Sequence, residues 1–593
     1  MNKRWLKVEF NIIAFIFFVW LASPNECSAL VGKIQENKNP RLANYYLKWS
    51  LSDAETEKLA KWDLLILDME VQENSRSNLI KLRQLNPNII ILAYITSEEI
   101  RSDIINNRDA KLRRILFNEI RENWWLNDNL SNRLSSWPNT WLINLTNQAP
   151  ASDGERWNTI LPKFVKNNIL SSGLWDGVFY DNIWHDISWI NKGIIDINND
   201  GSIESSAEIN SQWIDGVMTM LKNSQLLFGD DFVIMANGSS YDRYQPYSNG
   251  IMFENFPTPW EKSGRWQEVL QSYFRVKELN KKPHLSVINS SSKNEKDYLK
   301  MRNGLVSSLL TDAYFSFDYD MTDHGQTWWY DEYDYYLGAP LNEAYRTDGP
   351  GVDYPQGIWR RDFANGSVYL NSYYQEKIVV LPNRFRKLSG SQDNIVNDGG
   401  LVSYLVLGPG DGILLKNIFE IYNLGLLNNV NYEIYSHDLK KIRNYSFFNK
   451  YYKNLSRLAL DKNGEAKSTA KNISADVNGD KKSEKIYDAN FGKESNINII
   501  DAARNKLIGS FPAYNKEFRC GLRVAVADID NDGLAEIITV PAYGGPHLKI
   551  FDHKGRLKGE IFFNSKNLRA NYDVAVADVN NDNLMEILIG IYN

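Results

Sequence analysis

Between Arg41 and Asp320 the chain alternates short apolar runs with stretches whose apolar residues recur every three to four positions. Runs of aliphatic, β-branched or aromatic residues bounded by polar turns predict strands, and a 3.6-residue apolar period predicts amphipathic helices. The predicted strands are Leu42–Lys48, Asp63–Met69, Ile89–Ile95, Trp141–Thr146, Trp175–Asp181, Phe232–Asn237, Gly250–Glu254 and His284–Asn289. Between them Asp53–Trp62, Asn78–Leu85, Trp157–Asn168, Ile209–Leu221, Trp266–Lys277 and Lys296–Leu310 predict helices. Eight such units over about 280 residues fit an α/β fold, a parallel (β/α)8 TIM barrel, with a doubly wound open sheet as the alternative. A ninth apolar run, Ala313–Phe317, means that one of the eight lies outside the barrel or that an extra element closes it. We assign residues 38–345 to the barrel.

Beyond the barrel the helical period disappears. Arg361–Asn371, Ile378–Leu381 and Leu401–Leu415 read as strands between Gly- and Pro-rich turns, giving a small accessory β-sheet domain over residues 350–418. Residues 419–470 are Lys- and Asn-rich, weakly patterned, and read as connecting structure. Residues 471–593 repeat. Asp476-Val477-Asn478-Gly479-Asp480 through Glu484, Asp528-Ile529-Asp530-Asn531-Asp532 through Glu536, and Asp578-Val579-Asn580-Asn581-Asp582 through Glu586 place oxygen side chains at positions 1, 3, 5 and 9 of a loop, each followed by an apolar strand. This is a calcium-loop pattern, and its recurrence at roughly 50-residue spacing is more specific than a polar turn. Gly533 has no glycine counterpart at Lys481 or Asn583. A fourth copy, Asp196, Asn198, Asp200 and Gly201 through Glu204, follows the Trp175–Asp181 strand; Ala207 at position 12 excludes a full EF-hand, and a polar turn is the alternative there.

Barrel chemistry gathers at the C-terminal ends of the strands. The polar residues ending the predicted strands are Lys48, Asp68, Tyr94, Asn144, Asp181, Asn237, Glu254 and Asn289. A strand period of two aligns Gly177, Phe179 and Asp181 on one face, and likewise Gly250, Met252 and Glu254. A carboxylate ending an apolar strand is costly to bury unless it is paired or functional. Taken singly, either acid could cap a helix or pair with an arginine. Two on separate strands fit glycoside hydrolysis, with one carboxylate as nucleophile or base and the other as proton donor; retention and inversion stay open. No Gly-rich phosphate loop, HExxH helix or Gly-x-Ser-x-Gly elbow occurs in the barrel. The strand ends carry no His, against a metal-dependent deacetylase.

The 593-residue chain has 67 Lys+Arg against 73 Asp+Glu, which gives no electrostatic reason to expect nucleic acid. Aromatics make up 13%, and Trp184, Tyr94, Trp260, Trp328 and Trp329 are candidate sugar-stacking platforms beside the bland reading of core packing. Lys3, Arg4 and Lys7, the apolar run Ile12–Ala22 and the small residues Cys27-Ser28-Ala29 read as a signal peptide over residues 1–29, so we expect a secreted or cell-surface protein without a membrane span. Cleavage there leaves Cys520 alone, which excludes an intramolecular disulfide.

Asp63–Asp68, Ala93-Tyr94-Ile95, Trp175–Asn182, Met235-Ala236-Asn237-Gly238 and Gly250–Glu254 resemble the hypothetical glycoside hydrolases related to endo-α-1,4-polygalactosaminidases. The resemblance covers about half the chain and implies an Asp181 nucleophile and a Glu254 acid/base; the other polar strand-end residues Lys48, Asp68, Tyr94, Asn144, Asn182, Asn237 and Asn289, with Trp328 as a stacking platform, are the candidate substrate-binding residues. The Trp184–Asn210 insertion departs from the family pattern and bears on the shape of the cleft. The C-terminal segment, with Gly545–Asp552 as strand and turn, resembles FG-GAP or VCBS repeats, implying a β-propeller-like module with structural calcium. These readings lead to a secreted polysaccharide hydrolase needing no cofactor for catalysis. A non-catalytic polysaccharide-binding or adhesion protein and another barrel hydrolase, transferase or lyase remain as alternatives.

Overall fold

The computed structural model describes residues 33–34, 38–320, 322–350, 354–417, 421–424, 432–435, 441–445, 473–487, 492–530, 533–563, 568–577 and 585–592. The expected leader lies outside them.

Eight parallel strands form one sheet in chain order: β1 (Ala43–Tyr46), β2 (Leu64–Asp68), β3 (Ile90–Thr96), β4 (Gly177–Ile183), β5 (Val233–Gly238), β6 (Gly250–Phe253), β7 (Val287–Ser292) and β8 (Tyr314–Tyr319). Leu42, just before β1, bridges in parallel to Phe315 of β8 and closes the barrel. The ninth run therefore supplies the eighth strand. The expectation that fails is Trp141–Thr146: Thr140–Leu142 pairs antiparallel with Glu99–Arg101 in a ribbon inside the long β3–β4 connection. Its apolar side chains are explained by burial against Trp125 and Leu126, which any covered ribbon requires, barrel or not. The last predicted strand sits three residues later than expected, at β7.

Alternation along the strands separates two cores. Tyr45, Ile66, Leu92, Phe179, Met235, Met252, Val287 and Tyr314 point inward and fill the barrel. Leu65, Ile91, Val178, Ile234, Phe253, Ile288 and Phe315 point outward to the helices. Continuing each inward row to the C-terminal end brings Asp68, Tyr94, Asp181, Asn237, Glu254, Asn289 and Asp318 to one layer.

The accessory sheet is antiparallel, with β9 (Ile358–Phe363), β10 (Gly366–Asn371), β11 (Lys377–Lys387), β12 (Leu401–Leu407) and β13 (Gly412–Asn417) in the order β9, β10, β13, β11, β12 and Tyr345–Arg346 outside β9. The expected strand Arg361–Asn371 is a hairpin, turning at Ala364-Asn365. The helix Tyr298–Thr311 lies between barrel and accessory sheet, and accordingly is buried on nearly every side. Arg302 on it holds Asp411 at 3.0 Å, and Arg361 donates to Leu309 O and Asp312, so the two units share a polar as well as an apolar contact.

The repeats form Ile473–Pro512 and Leu522–Phe562 sheets of four strands each, and a six-stranded sheet containing Ala570–Ala577 and Glu586–Tyr592. Ile421–Leu424, Tyr432–Tyr435 and Lys441–Tyr445, in the segment read as connecting structure, add three strands to that last sheet. The Leu522–Phe562 sheet is packed between the other two, Ile537 toward Ile497 and Ile538 toward Ile587.

Gly177 opens β4 where a Cβ would stand 2.1 Å from Val233 O. Gly177→Ala should therefore force β4 and β5 apart and cost about 1–3 kcal/mol by overpacking. Thermal unfolding checks this; an unchanged midpoint would contradict the register.

Candidate active site

Asp181 and Glu254 end the inward rows of β4 and β6, and Asn237 ends that of β5 between them. The Asn237 Nδ2 donates to Asp181 Oδ1 at 2.9 Å and to Glu254 Oε2 at 2.8 Å. Both carboxylates thus converge on one amide nitrogen, so these two oxygens can be no further apart than the two bonds laid end to end. Asp181 also accepts from the Tyr94 hydroxyl at 2.7 Å and from Asn182 N at 2.9 Å. The β4–β5 register shifts between Tyr180 and Ile183, and Asn182 takes a left-handed φ of 62°. Such a bulge re-aims side chains: Asp181 stays in the barrel mouth while the Asn182 amide turns to Glu99 Oε1 at 3.4 Å. Asn255, immediately after Glu254, is likewise left-handed at φ 52°, and the chain turns away there.

Glu254 is 14% exposed. Burial and then the charge of Asp181 push its carboxyl up to about 7. Burial also raises Asp181, but three donors, Tyr94, Asn237 and the Asn182 backbone, pull the other way. The two acids therefore differ in what opposes burial: a full set of donors for Asp181, one amide and a nearby imidazole for Glu254.

That imidazole is His324, which the strand-end reasoning missed. Its Nε2 is 3.8 Å from Glu254 Oε1, and its Nδ1 is 3.2 Å from Asp318 Oδ2. Burial alone would lower His324; the bond to Asp318 and the charges of Asp318, Glu254 and Asp181 outweigh it and raise it. Asn289 donates to the same Asp318 oxygen at 2.7 Å, and Tyr45 packs on the His324 ring with centroids 4.2 Å apart. Asp318 was legible in principle, since the ninth apolar run extended by one residue ends on it. His324 was not, because it lies in the loop after β8, where no periodicity speaks.

The other expected substrate-binding residues divide. Tyr94, Asn237 and Asn289 stand in the mouth but are engaged with Asp181, Glu254 and Asp318. Asn182 faces Glu99. Asp68 shares the inward layer yet is buried in a two-pronged pair with Arg113, both contacts 2.7 Å, and Arg113 in turn stacks over Trp49. Lys48 points off the inward row and binds Glu55 at 2.9 Å. Asn144 lies just past the ribbon and in no barrel strand, and its buried amide donates to Ile197 O. Trp328 packs on Phe317 and Tyr319, the outward row of β8. Trp184 and Trp260, following β4 and β6, meet edge to face at 5.9 Å, and Trp260 Nε1 donates to Gly238 O.

The calcium-type loops share one backbone geometry. In the barrel insertion Ile197 N donates to Glu204 Oε2, Asp200 N to Asn198 Oδ1 and Gly201 N to Asp196 Oδ2. In the first repeat the matching donors are Val477 N to Glu484, Asp480 N to Asn478 and Lys481 N to Asp476. In the second they are Ile529 N to Glu536 and Gly533 N to Asp528. Lys481 reaches the left-handed φ of 64° that Gly201 and Gly533 take without strain, so glycine is favoured there but not required. Asp532, Asp578, Asn580 and Asp582 lie outside the described residues, and so does the side chain of Glu586.

Residues 83–367, just under half of the chain, match the model of hypothetical glycosyl hydrolase family 15, and residues 528–589 match an FG-GAP-like repeat. The first match runs from the approach to β3 through β8 into β10 and includes Asp181, Asn237, Glu254, Asp318 and His324. The class it supports is glycoside hydrolase, on a TIM barrel followed by FG-GAP repeats. Among solved structures, the noncanonic maltogenic α-amylase AmyB from Thermotoga neapolitana shares 6% identity at a TM-score of 0.38, over 63% of this chain and 98% of that one. An α-amylase from Geobacillus thermoleovorans shares 9% at 0.33 over 63% and 97%, and the chitinase domain of the spore coat protein CotE from Clostridium difficile 12% at 0.23 over 42% and 67%. No curated protein matches.

Behind Asp181, at the head of the β3–β4 connection, Glu98 is fully buried and neither carboxylate oxygen has a hydrogen-bond partner. Burial, then Glu99 and Asp181, hold its carboxyl well above the ordinary range. A group raised on folding contributes stability below its unfolded value, near pH 4.5, and loses it as pH rises toward the folded value. The Glu98→Gln variant, which cannot ionise, should gain on the wild type by up to about 1.4 kcal/mol per pH unit above pH 5. Urea unfolding at pH 5, 6 and 7 measures the difference; a constant difference would contradict the burial.

Proposed function

We propose that this chain is an exported glycoside hydrolase that cleaves an extracellular polysaccharide by a retaining two-carboxylate mechanism, Asp181 as nucleophile and Glu254 as acid/base. The observation that carries the reading is the single Asn237 amide donating to both carboxylates. Retaining enzymes hold the two carboxyl groups about 5–5.5 Å apart, whereas inverting ones leave about 6.5–9.5 Å for a water, and one oxygen of each acid resting on a single donor supports the shorter spacing. Asp181, whose carboxylate accepts from three donors that hold it in place, is suited to attack as the nucleophile. Glu254, raised to about 7, is suited to hold the proton that the leaving oxygen takes, then to act as base for the incoming water. Asn237 would orient both groups, and His324, held by Asp318, would keep a positive charge beside Glu254 as it ionises. Trp184 and Trp260 form an aromatic edge on the loops after β4 and β6 and would offer sugar rings a stacking face.

The substrate we favour is an amino-sugar polymer or another bacterial exopolysaccharide, on the resemblance to the polygalactosaminidase-related group. Export rests on the leader pattern at residues 1–29. Among the described residues no helix is long and apolar enough to cross a membrane. For structural calcium, the barrel insertion and the first repeat carry the oxygen side chains of the loop pattern on one shared backbone turn, and hard oxygens are the donor type such an ion takes. In the insertion it would be held by Asp196, Asn198, Asp200 and Glu204, in the first repeat by Asp476, Asn478, Asp480 and Glu484. Its contribution would be to order these loops.

Reducing-end release from a panel of soluble polysaccharides, galactosaminogalactan included, tests the reading. Wild type should turn over, and Glu254→Gln and Asp181→Asn should lose activity by about 10²–10⁴-fold or more while still binding polymer. The acid must be protonated, so wild-type activity should fall as pH rises through about 7. Retained binding without turnover by wild type on every polymer would replace the enzyme with a polysaccharide-binding protein.

A further inference from the structure

The second repeat differs from the other calcium-type loops in one respect. Asp528, Asp530 and Glu536 offer oxygens that all lie within 4.8 Å of one another, the arrangement an ion would require. Yet the Lys558 ammonium is 2.7 Å from Asp530 Oδ2 and 2.6 Å from Glu536 Oε1. Glu536 gives its Oε2 to Ile529 N, the bond common to all three described loops, so Oε1 is the oxygen left for a cation, and the lysine holds it. Glu536 is 2% exposed, as is Glu484 of the first repeat, so burial does not distinguish the two loops and the ammonium does. Among the described residues, neither Glu204 nor Glu484 has a lysine or arginine within ion-pair distance. The described residues of the second repeat thus do not fit an added calcium ion.

We infer that Lys558 is the resident cation of the second repeat, standing where the sequence pattern places calcium, and that this loop binds no metal in the native chain. The inference is independent of the hydrolase reading. It also gives the loop a position in the assembly. Lys558 belongs to the strand Leu557–Phe562, whose backbone meets the accessory sheet: Asn417 Nδ2 donates to Lys558 O at 3.5 Å, and Glu560 N to Asn365 Oδ1 at 3.4 Å. Lys558 therefore fastens the metal-type loop to the strand that seats the repeats on the accessory domain, and that fastening does not depend on calcium. A lysine is tethered and monovalent, so chelators that open the other loops would leave this junction closed.

The test counts bound calcium on the full mature chain, freed of metal with chelator and dialysed against about 5 mM calcium, above the range in which extracellular modules fill. Lys558→Met should bind one equivalent more than wild type, and Glu536→Gln in that background should remove it. Wild type and its Asp530→Asn variant should bind the same number. A wild type that loses an equivalent on Asp530→Asn holds calcium in this loop and overturns the inference. Equal counts for wild type and folded Lys558→Met overturn it too, because then the ammonium is not what excludes the ion. Circular dichroism checks folding, and if Lys558→Met does not fold, the comparison of wild type with Asp530→Asn decides alone.

Discussion

Two buried acids cannot both be carried at the end of apolar strands unless something answers their charge, and in this protein one amide answers both. Asn237 sits on β5 between the strands that carry Asp181 and Glu254, and its Nδ2 donates to each. The barrel exists, for this purpose, to bring three consecutive inward rows to one height. Closure between Leu42 and Phe315, the glycine at the start of β4 and the bulge at Asp181-Asn182 all serve that alignment. The asymmetry around the shared amide then separates the two acids, since Asp181 gathers donors and Glu254 faces an imidazole.

The inward layer shows which parts of the site a sequence can reveal. Period two along β4 and β6 was enough to aim Asp181 and Glu254 into the same space, because a strand's alternation is fixed by backbone geometry. The same rule placed Tyr94, Asn237 and Asn289. It fails for Asn144, which follows an apolar run in a covered β-ribbon, since burial in a ribbon leaves the same signature as burial in a barrel. It failed differently for Asp68, which does reach the mouth but is held by Arg113, a partner on a helix some 45 residues away that no local pattern announces. Glu98 and His324, both in connecting segments, were invisible for the same reason: their environment is made by packing, not by their own stretch of chain.

The repeats teach a complementary lesson. Spacing alone identified the loops, and the shared bonds from position 2 to the glutamate at position 9 show that the pattern encodes one backbone shape in three places. What spacing cannot encode is which cation meets that shape. Lys558 arrives from a strand well beyond the loop, so the difference between the second repeat and the others lies in the fold of the sheet and not in the motif.

The central claim is that Asp181 and Glu254 are close enough for a covalent glycosyl intermediate, and the anomeric configuration of the first product reports that distance directly. Proton NMR of the reaction in its first minutes, before mutarotation, on the polymer that proves to be the best substrate, should show the new reducing end in the same configuration as the bond cleaved. A first product of the opposite configuration would mean that water attacks directly, and would contradict the closely spaced pair on which the account rests.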